Sequence, residues 1–176
     1  GYNKMVNFLL NEKADIDYIS VKNETALTLA IQEKQIETVQ ILLERGANTA
    51  VQNAKGQTPL MSAVLTGETE IVKLIFQHQK QESLTAELDT ADFIGNTPLM
   101  VSADKGFLDI ATFLLEQGAK VESINRWNET ALMFASSKGF REIVSLLLKH
   151  GAEIDARDIS EKNALLRAVQ NGHLLI

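Results

Sequence analysis

The triplet Thr25-Ala26-Leu27 returns as Thr58-Pro59-Leu60, Thr97-Pro98-Leu99, Thr130-Ala131-Leu132 and Asn163-Ala164-Leu165, at steps of 33, 39, 33 and 33 residues. A fold with one closed core has no reason to restart its sequence at a fixed step. Stacked supersecondary units do, because each buries its apolar face only against its neighbours. The chain therefore reads as a stack, which offers a long surface rather than a single cleft.

Within each period a turn such as Asn53-Ala54-Lys55-Gly56-Gln57 comes first. A short helix from Pro59 to Thr66 follows, then a break at Gly67 and a second helix from about Glu70 to Phe76. Thr58 suits the N-cap, and Pro59 the first helical position, where no N–H is needed. Gly67, Gly106, Gly139 and Gly172 end the first helices, with Lys34 the departure; Gly46, Gly118 and Gly151 follow the second helices. Ala30, Ala63, Ser102, Ala135 and Ala168 keep one register small, letting helices approach closely. Val39, Leu42 and Leu43, then Ile110, Phe113, Leu114 and Leu115, then Ile143, Val144, Leu147 and Leu148 have helical spacing and are expected to face the stack. Helices this short do not persist alone in water, so packing between repeats must hold them.

These features resemble the ankyrin repeat, whose signature is Thr-Pro-Leu-His-x-Ala followed later by Gly-Ala-Asp. Thr58-Pro59-Leu60-Met61-Ser62-Ala63 and Thr97-Pro98-Leu99-Met100-Val101-Ser102 carry the first part. Gly46-Ala47-Asn48, Gly118-Ala119-Lys120 and Gly151-Ala152-Glu153 carry the second. The family's histidine is replaced throughout, by Thr28, Met61, Met100, Met133 and Leu166, so apolar packing is expected where it would make hydrogen bonds. The resemblance implies an all-α fold: an ankyrin-repeat α-solenoid of antiparallel helix pairs joined by β-hairpin-like turns. About four full repeats are expected, with partial repeats at both ends. As one domain over 1–176, the boundaries are a partial repeat 1–19, repeats 20–52, 53–91, 92–124 and 125–157, and a partial repeat 158–176.

Both ends fall inside a repeat, and Leu165, Leu166 and Val169 lack a covering helix, so the chain is expected to be part of a longer protein. The 39-residue step places six extra residues between Phe76 and Asp92. They read either as a tolerated surface insertion, since loops accept length cheaply, or as an elongated helix or loop that adds a ledge.

Composition excludes several classes of function. With 45% hydrophobic and 23% charged residues the chain is not disordered. A net charge of −6 gives no support for nucleic acid or an anionic membrane as partner. The absence of cysteine excludes disulfides, thiolate zinc sites and a cysteine nucleophile. No apolar run is long enough for a bilayer, and none follows Gly1-Tyr2-Asn3-Lys4 as a signal peptide, so a reducing, cytoplasmic setting is expected.

No catalytic, cofactor or metal constellation assembles. His78, His150 and His173 read as ordinary solvated histidines, without further ligands at metal spacing. The carboxylates, Glu68 with Glu70, Asp15 with Asp17 and Asp155 with Asp158, read as surface charges, no pair of them buried. Some family members are hydroxylated at an asparagine after Gly-Ala-Asp-Val; the corresponding positions here are Asp17, Ala50, Glu122 and Asp155.

The resemblance further implies that the turns project as fingers and, with the first helices, form a groove that takes a protein partner. By register, the partner-binding residues are Lys55 and Gln57, then Phe93, Ile94 and Asn96, then Arg126, Trp127 and Glu129 at fingertips; Ile159, Ser160 and Lys162 close the series. Leu65, Asp104, Lys105 and Lys138 stand at the groove ends of first helices. Phe93, Ile94 and the only tryptophan break the polar rule for turns. Tryptophan and arginine are enriched in interface hot spots, and apolar groups at a docking position mark a site. The competing reading is that Trp127 folds onto its neighbouring finger and stiffens it. The expected function is a non-catalytic interaction scaffold, monomeric, with end-to-end contacts open to its uncapped terminal repeats. The alternative is a targeting or regulatory segment of a larger enzyme.

Overall fold

Thr25, Thr58, Thr97, Thr130 and Asn163 each take an extended backbone and accept, through the side chain, the amide three residues on. That cap starts the five first helices: α2 (Ala26–Gln32), α4 (Pro59–Thr66), α6 (Pro98–Lys105), α8 (Ala131–Lys138) and α10 (Ala164–Gln170). The computed structural model describes residues 2–81 and 88–173. Gly67, Gly106 and Gly139 stop their helices in the left-handed region; Lys34 does the same at φ 55°. The second helices are α1 (Tyr2–Asn11), α3 (Ile36–Glu44), α5 (Thr69–Gln81), α7 (Leu108–Glu116) and α9 (Arg141–Lys149). Among the described residues there are ten helices and no strand, as the all-α solenoid requires.

The chain divides into two compact units, Gly1–Glu87 and Leu88–Ile176. In the first, α2 packs on α4 in one row and α3 on α1 and α5 in the other, each first helix also packing on its own second helix. In the second, α8 lies between α6 and α10, and α7 packs on α9. Ala30, Ala63, Ser102, Ala135 and Ala168 are all buried, as close helix approach demands. Met61, Met100 and Met133 are fully buried where the family has histidine; each such side chain contributes about 1.5–3 kcal/mol. Thr28 instead bonds locally: its hydroxyl oxygen accepts the Thr25 amide at 2.8 Å, closing a reciprocal cap. Leu148 departs from the expected core, being 38% exposed while Leu43 and Leu115 in the same register are buried. Among the described residues no second helix lies beyond α9 to cover it. Phe113 and Val144 are only half-buried.

Helix α5 also departs from expectation. It begins at Thr69 and runs to Gln81, 13 residues against 9 in α3, α7 and α9. Ile71, Val72, Ile75 and Phe76 are buried at helical spacing, and Gln79 continues that stripe, also buried. Part of the insertion is therefore added helix; residues 82–87 lie outside the described residues.

Candidate functional site

Every finger opens on a side chain that holds two amides. Ser20 Oγ accepts the Lys22 and Glu24 amides, and Asn53 Oδ1 those of Lys55 and Gln57. Asp92 Oδ1 accepts Ile94 and Asn96, Asn125 Oδ1 accepts Trp127 and Glu129, and Asp158 Oδ1 accepts Ser160 and Lys162. Short oxygen side chains suit this task because they mimic a backbone turn. The fourth residue of each finger, Asn23, Gly56, Gly95, Asn128 or Glu161, takes positive φ.

In the second unit the fingertips are also joined to one another. Arg126 N donates to Ile94 O, and Ile159 N to Trp127 O, both at 3.0 Å. Gly95 permits the first rung: a Cβ there would stand 3.0 Å from Asn125 Cα. Along this laced edge Phe93 is 56% exposed, Ile94 39%, Trp127 42% and Ile159 61%. Four large apolar side chains thus stand in water on a backbone fixed by hydrogen bonds.

Beneath the tips runs a polar chain. Asn125 Nδ2 donates to Asn96 Oδ1 at 3.0 Å and to Glu129 Oε2 at 2.7 Å. Glu129 Oε1 accepts Arg167 Nη2 at 2.7 Å, and Arg167 Nε donates to Asp158 Oδ2 at 3.0 Å, with Nη2 reaching the same oxygen. Asp158 is only 4% exposed, which corrects its reading as one of several surface charges: Arg167 of α10, nine residues on in the chain, neutralises it. Burial pushes its carboxyl up. The Lys162 amide, the Arg167 guanidinium and the Ser160 amide outweigh that, holding it below the usual carboxylate range. Burial likewise lowers Arg167, but bonds to Asp158 and Glu129 prevail and raise it. The sequence reading missed Arg167 and Asn125. The available signal was the in-register series Ser20, Asn53, Asp92, Asn125 and Asp158, which repeats at the same steps as the caps.

The expected binding residues fall as follows. Lys55, Gln57 and Leu65 belong to the first unit; Lys55 is exposed, and Gln57 Oε1 accepts Asn53 Nδ2 at 3.0 Å. Phe93, Ile94, Arg126 and Trp127 are exposed on the laced fingertips, whereas Asn96 and Glu129 are half-buried in the polar chain. Asp104 sits between two cations, 3.3 Å from Lys105 and 3.6 Å from Lys138. Two positions compared with the hydroxylated asparagine hold the next repeat: Asp17 Oδ1 accepts the Asn48 amide and Glu122 Oε1 the Glu153 amide. His173 is not freely solvated, since its ring packs against Gly139 and its Nε2 lies 3.1 Å from Ser137 O. Among the described residues no group of His, Asp and Glu is arranged to hold a metal ion, and no helix is long and apolar enough to cross a membrane.

A family model described as ankyrin repeats in three copies matches residues 1–53, 46–125 and 120–176. The chain is 31% identical over 103 residues to transient receptor potential cation channel subfamily A member 1 of Homo sapiens, covering 58% of this chain and 9% of that protein. It is 32% identical over 122 residues to glycerophosphocholine phosphodiesterase GDE1 of Candida albicans, covering 67% and 10%. With NF-kappa-B inhibitor alpha of Sus scrofa it shares 31% identity over 114 residues, 63% of this chain and 36% of that protein. The chain thus spans a tenth or less of the first two relatives and about a third of the third.

Proposed function

Because this chain belongs to the ankyrin repeat family, whose repeats are protein-interaction modules, we propose that it grips a partner protein with the fingertips of its second unit. Phe93, Ile94, Arg126 and Trp127 form the centre of the grip, Asn96 and Glu129 support it from below, and Asp104, Lys105 and Lys138 supply a polar rim. In the first unit Lys55, Gln57 and Leu65 occupy the corresponding register. The observation that carries the reading is the exposure of four large apolar groups on a laced, preorganised edge. Little ordering entropy is lost when such a surface docks.

The test is a titration of an identified partner, first captured by the wild-type protein, against Trp127→Ala and Phe93→Ala. Truncating a hot-spot aromatic costs about 2 kcal/mol or more of binding, while the thermal midpoint should hardly move, because neither side chain is in the core. Unaltered affinity in both variants would sink the fingertip reading.

A second reading, that the chain serves as a targeting or regulatory segment of a larger protein, is supported by the relatives. A channel and a phosphodiesterase each carry the matched region as a tenth or less of their length. The complete reading frame around this segment decides it: a catalytic or channel domain in the same frame supports the reading, and a frame that ends with the repeats removes it.

A further inference from the structure

At the far end of the laced edge, the second unit holds a recess of about 270 Å³. Ser137 at the end of α8, Asp158, Ser160 and Lys162 of the last finger, and Arg167, Gln170 and Asn171 of α10 and its cap line it. Its side chains are polar throughout, unlike the tips beside it.

The hydrogen-bond inventory of this recess is lopsided. Asp158 has no acceptor capacity to spare: Oδ1 holds the Ser160 and Lys162 amides and Oδ2 holds Arg167. Arg167 uses Nε and Nη2 in its ion pairs, and among the described residues its Nη1 meets no acceptor. Lys162 Nζ spends one N–H on Gln170 Oε1 at 2.8 Å, which leaves two, and the Gln170 amide nitrogen and the Ser160 hydroxyl have no partner among the described residues. Free donors of four side chains therefore border one small space, against one acceptor without a partner among the described residues, Asn171 Oδ1. Two of the four carry positive charge.

We infer that this recess binds a single carboxylate, that of a Glu or Asp side chain on the partner protein. The inference deepens the fingertip reading and rests on it for its biological setting, though not for its chemistry. A carboxylate is acceptor-only and takes several N–H bonds at once, so it matches a donor-rich space that an amide would fill only in part. The two cations, Lys162 and Arg167, are balanced by Asp158 and Glu129, so the recess recognises by placed donors rather than by net charge. A phosphate dianion doubles the attraction to Lys162 and Arg167 and the repulsion from Asp158 and Glu129 alike, so charge alone does not favour it over a carboxylate. Asp158 remains ionised across the working range, which keeps Arg167 oriented.

The experiment is an amide and side-chain NMR titration of the whole chain with N-acetyl-glutamate α-amide, the neutral N-acetyl-glutamine amide and inorganic phosphate. The acid should shift the Ser160 and Lys162 amides and the Arg167 Nε–H saturably, with a midpoint on the order of millimolar. The glutamine compound should leave them in place, and phosphate should bind more weakly than the acid. Lys162→Met keeps the backbone bond to Asp158 and should weaken the acid by about tenfold, the loss expected for one charged hydrogen bond. Ser160→Ala, on an exposed tip, should weaken it less. Trp127→Ala should leave this titration unchanged even if it abolishes partner binding, which separates the two readings. Equal response to acid and amide, tighter binding of phosphate, no saturable shift, or indifference to Lys162→Met would each overturn the assignment.

Discussion

Arg167 locks the last finger by holding Asp158: its Nε lies 3.0 Å from Asp158 Oδ2 while the other carboxylate oxygen holds the Ser160 amide at 2.7 Å. The corresponding residues of two other fingers are Asn53 and Asn125, which hold the same pair of amides without a charge. The carboxylate at 158 is therefore not needed for the turn. It is needed for the arginine.

Asp158→Asn should keep the turn and lose the ion pair, costing the second unit about 2 kcal/mol near neutral pH. The sign follows from a carboxyl held below its ordinary value. Its stabilisation is fully present above the unfolded-state pKa and lost as pH falls through the folded value. Wild type and variant should run parallel in urea midpoint at neutral pH and converge only in acid, below about pH 4. Arg167, held above its ordinary value, loses its contribution only at alkaline extremes and adds no slope in this window. Convergence already at pH 6 would contradict the assignment.

Asn125 is the converse case. Its Nδ2 donates to both Asn96 Oδ1 and Glu129 Oε2; in Asn125→Asp the Asn96 amide can turn to donate, but the new carboxylate faces Glu129 with no proton between them. The turn bonds survive, as they do at Asp92 and Asp158. We expect a loss of about 2 kcal/mol or more at neutral pH, with part of it recovered as the pH is lowered, because the crowded carboxyl pair takes up a proton. A urea midpoint that falls in acid as steeply as that of wild type would show that the two carboxylates do not meet.

How far the residues announced this arrangement depends on sequence distance. The caps, the left-handed helix ends and the buried small positions each rest on one residue and its immediate neighbours, and the repeat states each of them several times. Exposure of Phe93, Ile94 and Trp127 follows from the same register. The polar chain was not legible in that way. Arg167 meets Glu129 across 38 positions and Asn125 meets Asn96 across 29, and only the stacking of repeats brings them together. Asp158 looked like any surface carboxylate because its burial comes from the neighbouring finger and helix. The length of α5 was underestimated because its apolar stripe ends on a glutamine, Gln79, which is nevertheless buried.

Gly95 and Gly118 separate two costs of a side chain in the left-handed region. Their φ values are similar, +90° and +94°, so an alanine at either brings comparable backbone strain of about 1 kcal/mol. At Gly118 the new Cβ meets nothing within 4 Å; at Gly95 it meets Asn125 Cα at 3.0 Å and Arg126 N at 3.1 Å. Backbone cannot swing aside as a side chain does. Gly95→Ala should therefore cost about 1–2 kcal/mol more than Gly118→Ala and speed hydrogen exchange at the Arg126 amide, which donates to Ile94 O. Equal destabilisation by the two variants would mean that the fingers part freely at this rung.

The last finger carries a conflict between backbone and charge that can be resolved by substitution. Glu161 sits at φ 58°, where the other fingers use Asn23, Gly56, Gly95 and Asn128. A residue with Cβ is strained there by about 1 kcal/mol, asparagine less and glycine not at all. Against this, Glu161 pairs with Arg157 at 3.1 Å on an exposed surface, a contact worth only about 0.3–0.5 kcal/mol and weakened by salt. Glu161→Gly relieves the strain and loses the pair, and the greater freedom of glycine in the unfolded chain offsets part of the gain. With about 0.4–1 kcal/mol lost to the freer unfolded chain, the expected net lies close to zero and shifts slightly in favour of the glycine variant as salt is added. Glu161→Ala retains the strain and loses the pair, so it should fall below wild type. Urea midpoints of Gly and Asn at or near that of wild type, with Ala clearly below, would establish that the backbone offsets the ion pair; alanine ranking above wild type would reverse that conclusion.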